Sequence, residues 1–476
     1  MKPATVTPIA PSAEAPAPSI AGQLAAFAHE LRYEDIPKAV RERAKHLMLD
    51  ATGIALASTR WDFAHQSLTA VRGLAGYGKC SVIGMPAHLP LRDAVMMNGI
   101  LVHGLDYDDT HIPGVIHTTA GAYPCALGVG EHLGADGKAV LTAFVLGVEA
   151  AARLGAVAKG AFHQVGFHPT GLIGAYGCAL LAGKLMGANP AQLVMAQGIT
   201  LSTGAGSLEF LEDGAWSKRL HPGWAGVAGI TGAALARQGF IGPQRPYEGR
   251  FGLFPSHLGP LEKGCDYSLA TAGLGEVWEL EQVAIKPFPA CHLAHACADA
   301  ALILTRQHDL RPADVVKVRA LVPQEVITTI CEPAEKKLRP VSDYDAKFSL
   351  PFIVAACIAR RKFGLAELED DALHDEEILA LAAKVTYQAD PNSPFPRAYS
   401  GELVITTRDG RELTHREEVN RGAAERPISN GEVVDKFFEN AQLAVSRQRA
   451  ERIGEALLGL DACEDVRAVA AVLGSP

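Results

Sequence analysis

Four segments of this chain concentrate side chains able to move protons or hold anions. In HGLDYDDTH, residues 103–111, two histidines, three aspartates and a threonine fall close together, and His117 follows shortly after. Such a set admits three readings. It can be a solvated turn whose Asp and Thr cap the next helix, a divalent-metal site, or an acid–base group in which Asp or His moves a proton while Thr bonds a substrate oxygen. In GFHPTGLIGAYG, His168 precedes a proline at the mouth of a Gly-rich apolar helix. There it can meet an anion or serve as a satisfied core histidine. LEFLEDGAWSKRLHPGWAG (208–226) sets Lys218, Arg219 and His221 between Trp216 and Trp224. The fork of Arg and the point charge of Lys suit carboxylates, although a basic surface turn has the same local sequence. In AIKPFPACHLAHACADAA (284–301), Lys286 ends an apolar strand, and His292 and His295 lie on the first turn of the next helix. With Cys291 and Cys297 they faintly resemble zinc ligands, but the spacing fits no common structural zinc pattern.

These side chains must be positioned by two kinds of element. From Ser19 to about residue 270 the periodicity is mostly helical. Ser19 caps a helix that buries Ile20, Leu24, Phe27 and Leu31, a second helix runs over about 37–57, and another opens at Asn189-Pro190. Frequent Ala and Gly over 118–240 predict tight helix packing. Near residue 275 the pattern changes. VWELEQVAIKPF and VVKVRALVP (315–323) read as strands. ELVITT (402–407) and RELTHREEV (411–419), joined through Asp409-Gly410, read as a hairpin with a type I′ turn. Helical segments at about 292–307, 349–362 and 366–384 interleave with them. Ser429 and Glu432 form a capping box that opens a helical tail. The expected fold is mainly α with an α+β insertion: a Pro/Ala-rich lead over 1–18, a helical domain from 19–274 plus 425–476, and an α+β lid over 275–424.

Composition narrows the function. A chain of 476 residues with formal charge −9 and no basic run argues against nucleic-acid partners and anionic membranes, but not against a local cationic pocket for a small anion. Nine cysteines without a CxxC pair read as reduced thiols in a cytoplasmic protein, with no iron–sulfur ligand cluster. The lead lacks the apolar core of a signal peptide. The apolar stretch 171–183 is too short to span a bilayer and reads as a buried helix. GAGSLE (204–209) and GVGEHLG (128–134) are not dinucleotide fingerprints, and no GxSxG elbow occurs.

Taken in order, HGLDYDDTH, FHPTGLIGAYGCALLAGKLMG, LEFLEDGAWSKRLHPGWAGVAG with RQGFIGP, KPFPACHLAHACADA, DAKFSLPF (345–352) and PISNGEVVDKFFENA resemble the MmgE/PrpD family over about residues 20–455. The resemblance implies a helical domain built from both chain ends with a smaller α+β lid, a homodimer, a site between the domains, and no metal or organic cofactor. It implies catalytic roles for Asp106, Thr110, His117, His168, Lys218 and Lys286. His103, Arg219, His221 and His295 are expected to contact substrate. The chain reads His117-Thr118-Thr119 where many members have His-Pro-Ser.

The family's substrates are citrate-like or aspartate-like acids. The implied reaction breaks a C–H or C–C bond beside a carboxylate, with the lysines stabilising the charge that develops and His or Asp handling the proton. Dehydration of a 2-methylcitrate-like acid is the first expectation. Decarboxylation of the cis-aconitate type and epimerisation of an iminodisuccinate-like acid are alternatives. The rival classes are a metal-dependent hydrolase using His103, Asp106, Asp109 and His111, and a non-catalytic binding protein.

Overall fold

The computed structural model describes residues 19–474, so the expected Pro/Ala-rich lead lies outside the described residues. Helices dominate and the sheets are small. The first helix, Ile20–Glu30, opens as its sequence requires, with the Ser19 hydroxyl accepting from the Gly22 N–H. Its Ile20 and Leu24 are buried. The Pro190–Thr200 helix opens with Asn189 and Gln192 capping each other's backbone N–H groups, and Asn430–Ala441 with Ser429 and Glu432 doing the same.

The core helices approach closely because glycine leaves room at their crossings. Leu91–His103 packs on Ser217–Arg237, and a Cβ on Gly99 would overlap the backbone of Gly223. Ser217–Arg237 also packs on Gly174–Leu185, which in turn packs on Gly137–Val157. Among the described residues, Gly137–Val157 alone is long and apolar enough to cross a bilayer, and it is wholly enclosed by its neighbours. The two C-terminal helices Asn430–Ala441 and Arg447–Leu458 both lie against Lys38–Ser58, near the start of the chain.

The larger sheet has strands β1 (Val315–Val322), β2 (Val385–Ala389), β3 (Gly401–Thr407) and β4 (Glu412–Glu417) in the order β2-β1-β3-β4. β1 and β2 run parallel, and the other neighbours antiparallel. The helix His295–Gln307 packs on β3 and β4 and on the helix Leu350–Arg360.

Three local expectations need correction. The 277–288 segment forms a 3₁₀ turn, Glu279–Gln282, and only a two-residue strand, Val283–Ala284. Its short partner, Thr110–His111, offers no longer ladder to extend it. The 366–384 helix is broken into Leu365–Leu368, Asp370–Leu373 and Glu376–Ala382. The hairpin forms, but not on a type I′ turn. That turn needs positive φ at both central residues, and here Gly410 (φ 87°) has it while Asp409 does not.

One buried ion pair ties the chain ends together beside the site. Lys436 Nζ, on Asn430–Ala441, lies 2.8 Å from Asp50 Oδ1 and donates to the Tyr107 carbonyl at 3.0 Å. It also sits 3.8 Å from the centre of the Tyr107 ring. Lys436→Met would leave the Asp50 carboxylate buried without its cation. We expect a loss of about 3–5 kcal/mol, read as a lower urea midpoint; an unchanged midpoint would show that the pair does not hold this corner.

Candidate active site

The site is assembled on the loop that follows Leu91–His103. Asp106 sits there at φ 52°, a left-handed conformation that aspartate tolerates better than most residues. Tyr107 is held by Lys436 from one side, and its hydroxyl donates to the Pro287 carbonyl at 3.1 Å. Two residues further on, Thr110–His111 pairs with Val283–Ala284. This short ladder carries Lys286 to the loop from 180 residues away: its Nζ donates to the Asp106 carbonyl at 2.8 Å and lies 3.3 Å from Asp106 Oδ2. Lys218, on the first turn of Ser217–Arg237, pairs with Asp106 Oδ1. All three side chains are buried. Burial by itself would raise the Asp106 carboxyl, but Lys218 and Lys286 outweigh it and hold the acid well below its usual range. Two ammonium groups therefore share one carboxylate.

Around this cluster stand four imidazoles, those of His103, His117, His168 and His221. His117, the residue before Thr118–Leu133, places Nδ1 2.6 Å from the Asp109 carbonyl. A carbonyl only accepts, so Nδ1 carries the hydrogen and Nε2 is left with a free lone pair. Thr110 Oγ1 is 3.4 Å from the same Nδ1. His103 donates from Nδ1 to Asp108 at 2.8 Å, and its buried Nε2 has no hydrogen-bond partner among the described residues. His168 caps the turn Pro169–Leu172 and shares a hydrogen between its Nδ1 and that of His221, 2.9 Å away. Burial pushes His117 and His168 well below the usual imidazole range, and His221 to about 4. The ring of His103 lies 4.8 Å from that of His117 and 5.7 Å from that of His168, centre to centre.

The neighbouring aspartates are driven apart in ionisation. Against the effect of burial, His103 and His117 hold Asp108 below the usual carboxylate range. Burial and the charge on Asp108 push Asp109 up to about 7, although the Thr119 N–H donates to it at 3.3 Å.

Available ring nitrogens of His103, His117 and His168 all lie within 4.8 Å of one another, the one group with metal-ligand character found among the described residues. Zinc at about 2.0–2.1 Å from each would need them about 3.4 Å apart. The two ammonium groups in the same pocket also oppose a dication. As built, the donor set suits an anion and a proton better than a metal.

Not every residue singled out from sequence joins this centre. His111 is turned away: its Nε2 meets Glu279 at 2.9 Å and its Nδ1 accepts from the Gly114 N–H at 3.2 Å, so the ligand set of a His111-containing metal hydrolase is not assembled. The Arg219 guanidinium is boxed by Phe63 (4.2 Å) and Tyr344 (4.6 Å) and donates to the Gly104 carbonyl, which makes it a brace for the loop. His295 donates to the Ala290 carbonyl at 3.1 Å, and its ring lies tilted at 54° to that of His292, 4.7 Å between centres. It is near enough to feel the charge of Lys286. Sequence reasoning passed over Asp108, the Lys436–Asp50 clamp and His163, and gave Asp109 only a metal-ligand role. The available signal for the clamp was a lone Asp inside the apolar helix Lys38–Ser58.

A small cleft of about 20 Å³ beside Lys218 is lined by Phe210, Leu211, Gly214, Lys337, Tyr344, Asp345 and Phe348. Lys218 Nζ stands 5.1 Å from the Phe348 ring and 5.9 Å from that of Phe210. Across the cleft, Lys336 Nζ donates to the Glu212 carbonyl at 2.8 Å.

The raised Asp109 carboxyl has a measurable consequence. Between about pH 4 and 7 the folded state binds this proton and the unfolded chain does not, so its contribution to stability is full below pH 4 and is lost as pH rises through 7. Asp109→Asn cannot ionise. Across that range it should gain a few kcal/mol on the parent, about 1.4 kcal/mol for each step of one in pH, as read from urea titrations. A difference that does not change with pH would mean that Asp109 ionises normally.

Comparison with known proteins adds an independent line. Residues 22–264 match the model of the MmgE/PrpD N-terminal domain and residues 288–461 that of the C-terminal domain. The cis-aconitate decarboxylase of Aspergillus terreus is 27% identical over 479 residues, covering 96% of each chain. The human cis-aconitate decarboxylase is also 27% identical, over 96% of this chain and 95% of its own. A cis-aconitate decarboxylase-like protein of Aspergillus oryzae, oryM, is 25% identical over 96% of this chain and 98% of its own.

Proposed function

Because the chain belongs to the MmgE/PrpD family and is an enzyme of that type, we propose that it is a lyase that decarboxylates a small polycarboxylate of the cis-aconitate kind with its own side chains as the only catalysts. The observation that carries this reading is the pair Lys218 and Lys286 on the single carboxylate of Asp106. The two buried ammonium groups offer more donors than this one carboxylate takes up, which leaves donors for a carboxylate of the substrate. We put decarboxylation ahead of the dehydration that the sequence resemblance put first, a choice supported by similarity to proteins named cis-aconitate decarboxylases.

The chemistry follows from the geometry. A bound polycarboxylate sets one carboxylate against Lys218 and Lys286. Loss of CO₂ from another leaves an electron pair delocalised onto the retained carboxylate, where the lysines stabilise it. The carbanion then needs a proton. Burial presses His117 and His168 toward their neutral forms in the free protein, but a polyanion beside them favours their protonated forms. Substrate binding therefore loads the acid that finishes the reaction, and such a group contributes about 10²–10⁴ in rate. Thr110 orients the substrate. The same base sites could remove a proton next to a carboxylate, so dehydration of a 2-methylcitrate-like acid and epimerisation of an iminodisuccinate-like acid are the second readings.

The charged cluster is buried, and we take the Phe210–Gly214 and Lys337–Phe348 segments, which line a small cleft beside Lys218, to part for substrate and then close to exclude water. We place the enzyme in the cytoplasm, in keeping with nine unpaired cysteines. We take it to be a homodimer: the outer face of Ser217–Arg237 leaves Leu220, Trp224 and Leu235 exposed, with Phe240 and Ile241 beyond it.

The test is proton NMR in D₂O with chelator-treated protein and cis-aconitate, citrate, 2-methylcitrate and iminodisuccinate in turn. Itaconate formed from cis-aconitate supports the decarboxylase. A new vinyl signal from citrate or 2-methylcitrate would move the assignment to dehydratase, and deuterium entering iminodisuccinate without a new product to epimerase. Lys218→Ala and His168→Ala should each remove at least about 10² in rate with the fold intact by circular dichroism. Turnover unaffected by both would overturn the site.

A further inference from the structure

His163 lies outside the residues that the proposed mechanism uses, and its position is unusual. It sits on the single-turn helix Ala161–Gln164, which starts from Gly160 at φ 83°. The chain then turns back through Gly166, whose N–H donates to the His163 carbonyl at 3.2 Å and whose own carbonyl accepts from the Leu208 N–H at 2.9 Å. The ring stands edge-on to that of His168, 6.3 Å between centres and 87° between planes. Its Nδ1 is buried and has no hydrogen-bond partner among the described residues, yet the residue as a whole is only half-buried. By contrast His103, His168 and His221 are 1%, 2% and 9% exposed. His163 thus has a sealed edge facing the imidazole cluster and an open edge facing water.

A sealed acid–base site has a supply problem. Decarboxylation breaks the C–C bond to CO₂, leaves the electron pair on carbon, and forms a C–H bond with a proton from an imidazolium. One proton is consumed in each cycle, and the neutral imidazole left behind must be recharged from solvent. We propose that His163 is the proton relay between bulk water and the buried imidazole cluster, accepting a proton on its exposed side and passing one from Nδ1 toward His168. A 6.3 Å separation of ring centres is one that ring rotation or a single bridging water spans. Burial and the nearby charge of Lys218 push the His163 imidazole down to about 4, so it holds no proton at rest and is free to pass one on. A bound polyanion, offsetting Lys218, raises its proton affinity when the relay is needed. His163 is a positioning and transfer group acting through His168, not a group that touches substrate.

This role rests on the proposed function for its purpose but not for its test. With ¹⁵N-histidine-labelled protein and no substrate, the exchange of buried imidazole N–H protons with water is measured in the parent, in His163→Phe, which keeps the aromatic edge, and in His163→Gln. Slowed exchange in both variants, with unchanged melting, supports the relay, and it does so even if no carboxylate in the panel is turned over. Unchanged exchange overturns it and moves the proton path to His117, whose side chain is 12% exposed. On whichever substrate the parent turns over, His163→Phe should lower kcat about tenfold in dilute buffer, less than loss of a directly acting acid–base group. KM should hold, and added imidazole should restore the rate. A rise in KM with kcat unchanged, or a loss that imidazole does not repair, overturns the relay in favour of a substrate contact or a structural role.

Discussion

The buried carboxylate of Asp106 between the ammonium groups of Lys218 and Lys286 is the constraint that shapes the surrounding structure. Ions removed from water cost several kcal/mol each unless their partners are placed well. The two partners here come from segments 112 and 180 residues away in the chain from Asp106. Helix packing fixes Lys218, the Thr110–Ala284 ladder fixes Lys286, and the left-handed backbone at residue 106 turns the carboxylate toward both. The Lys436–Asp50 pair and the caged Arg219 brace the same loop from behind through Tyr107 and Gly104. A loop of this kind, with each side chain tied to a different helix, keeps one geometry where an untethered loop would sample many.

That constraint also sets the protonation of everything nearby. Burial and the two lysines press His117 and His168 toward their neutral forms, and the imidazoles in turn hold Asp108 ionised while Asp108 pushes Asp109 toward its neutral form. Two adjacent carboxyls are thus pushed in opposite directions, because one has imidazole partners and the other has a carboxylate neighbour and a dry environment. A site in this condition is set to respond to an anion: the ligand supplies the negative charge that the lysines lack and the field that draws protons onto the rings. Charge binding and proton loading then become one event, which is what the proposed decarboxylation requires.

The aromatic lining makes such coupling useful. Phe210, Phe348 and Tyr344 surround Lys218 and Arg219 with low-polarity surface. Electrostatic interactions are stronger there than in water. The cost is access, since the cleft is small and closed by contacts such as Lys336 to Glu212. On the proposed reading, substrate passage and proton passage are separate problems, the first met by parting of the cleft segments and the second by a half-buried imidazole.

By itself the sequence determined what depends on near neighbours. Helix starts at Ser19, Asn189 and Ser429 form as their caps dictate, and the 402–419 hairpin pairs as its alternation requires, because these signals act over two to four residues. The ordered motifs were enough to identify the family. Where a segment's partner decides its form, local reading failed: 277–288 has strand composition but only a two-residue partner, and Asp409-Gly410 closes a different turn from the one its residue pair suggests. The chemistry of the site belongs to the tertiary structure alone. HGLDYDDTH holds two histidines of equal promise, yet His103 reaches the centre and His111 is spent on Glu279. Nothing in the spacing distinguishes Asp108 from Asp109. Which ring nitrogen is free, which carboxyl is charged and which lysine finds Asp106 are all set by desolvation and by contacts between residues far apart in sequence, and neither quantity exists until the chain has folded.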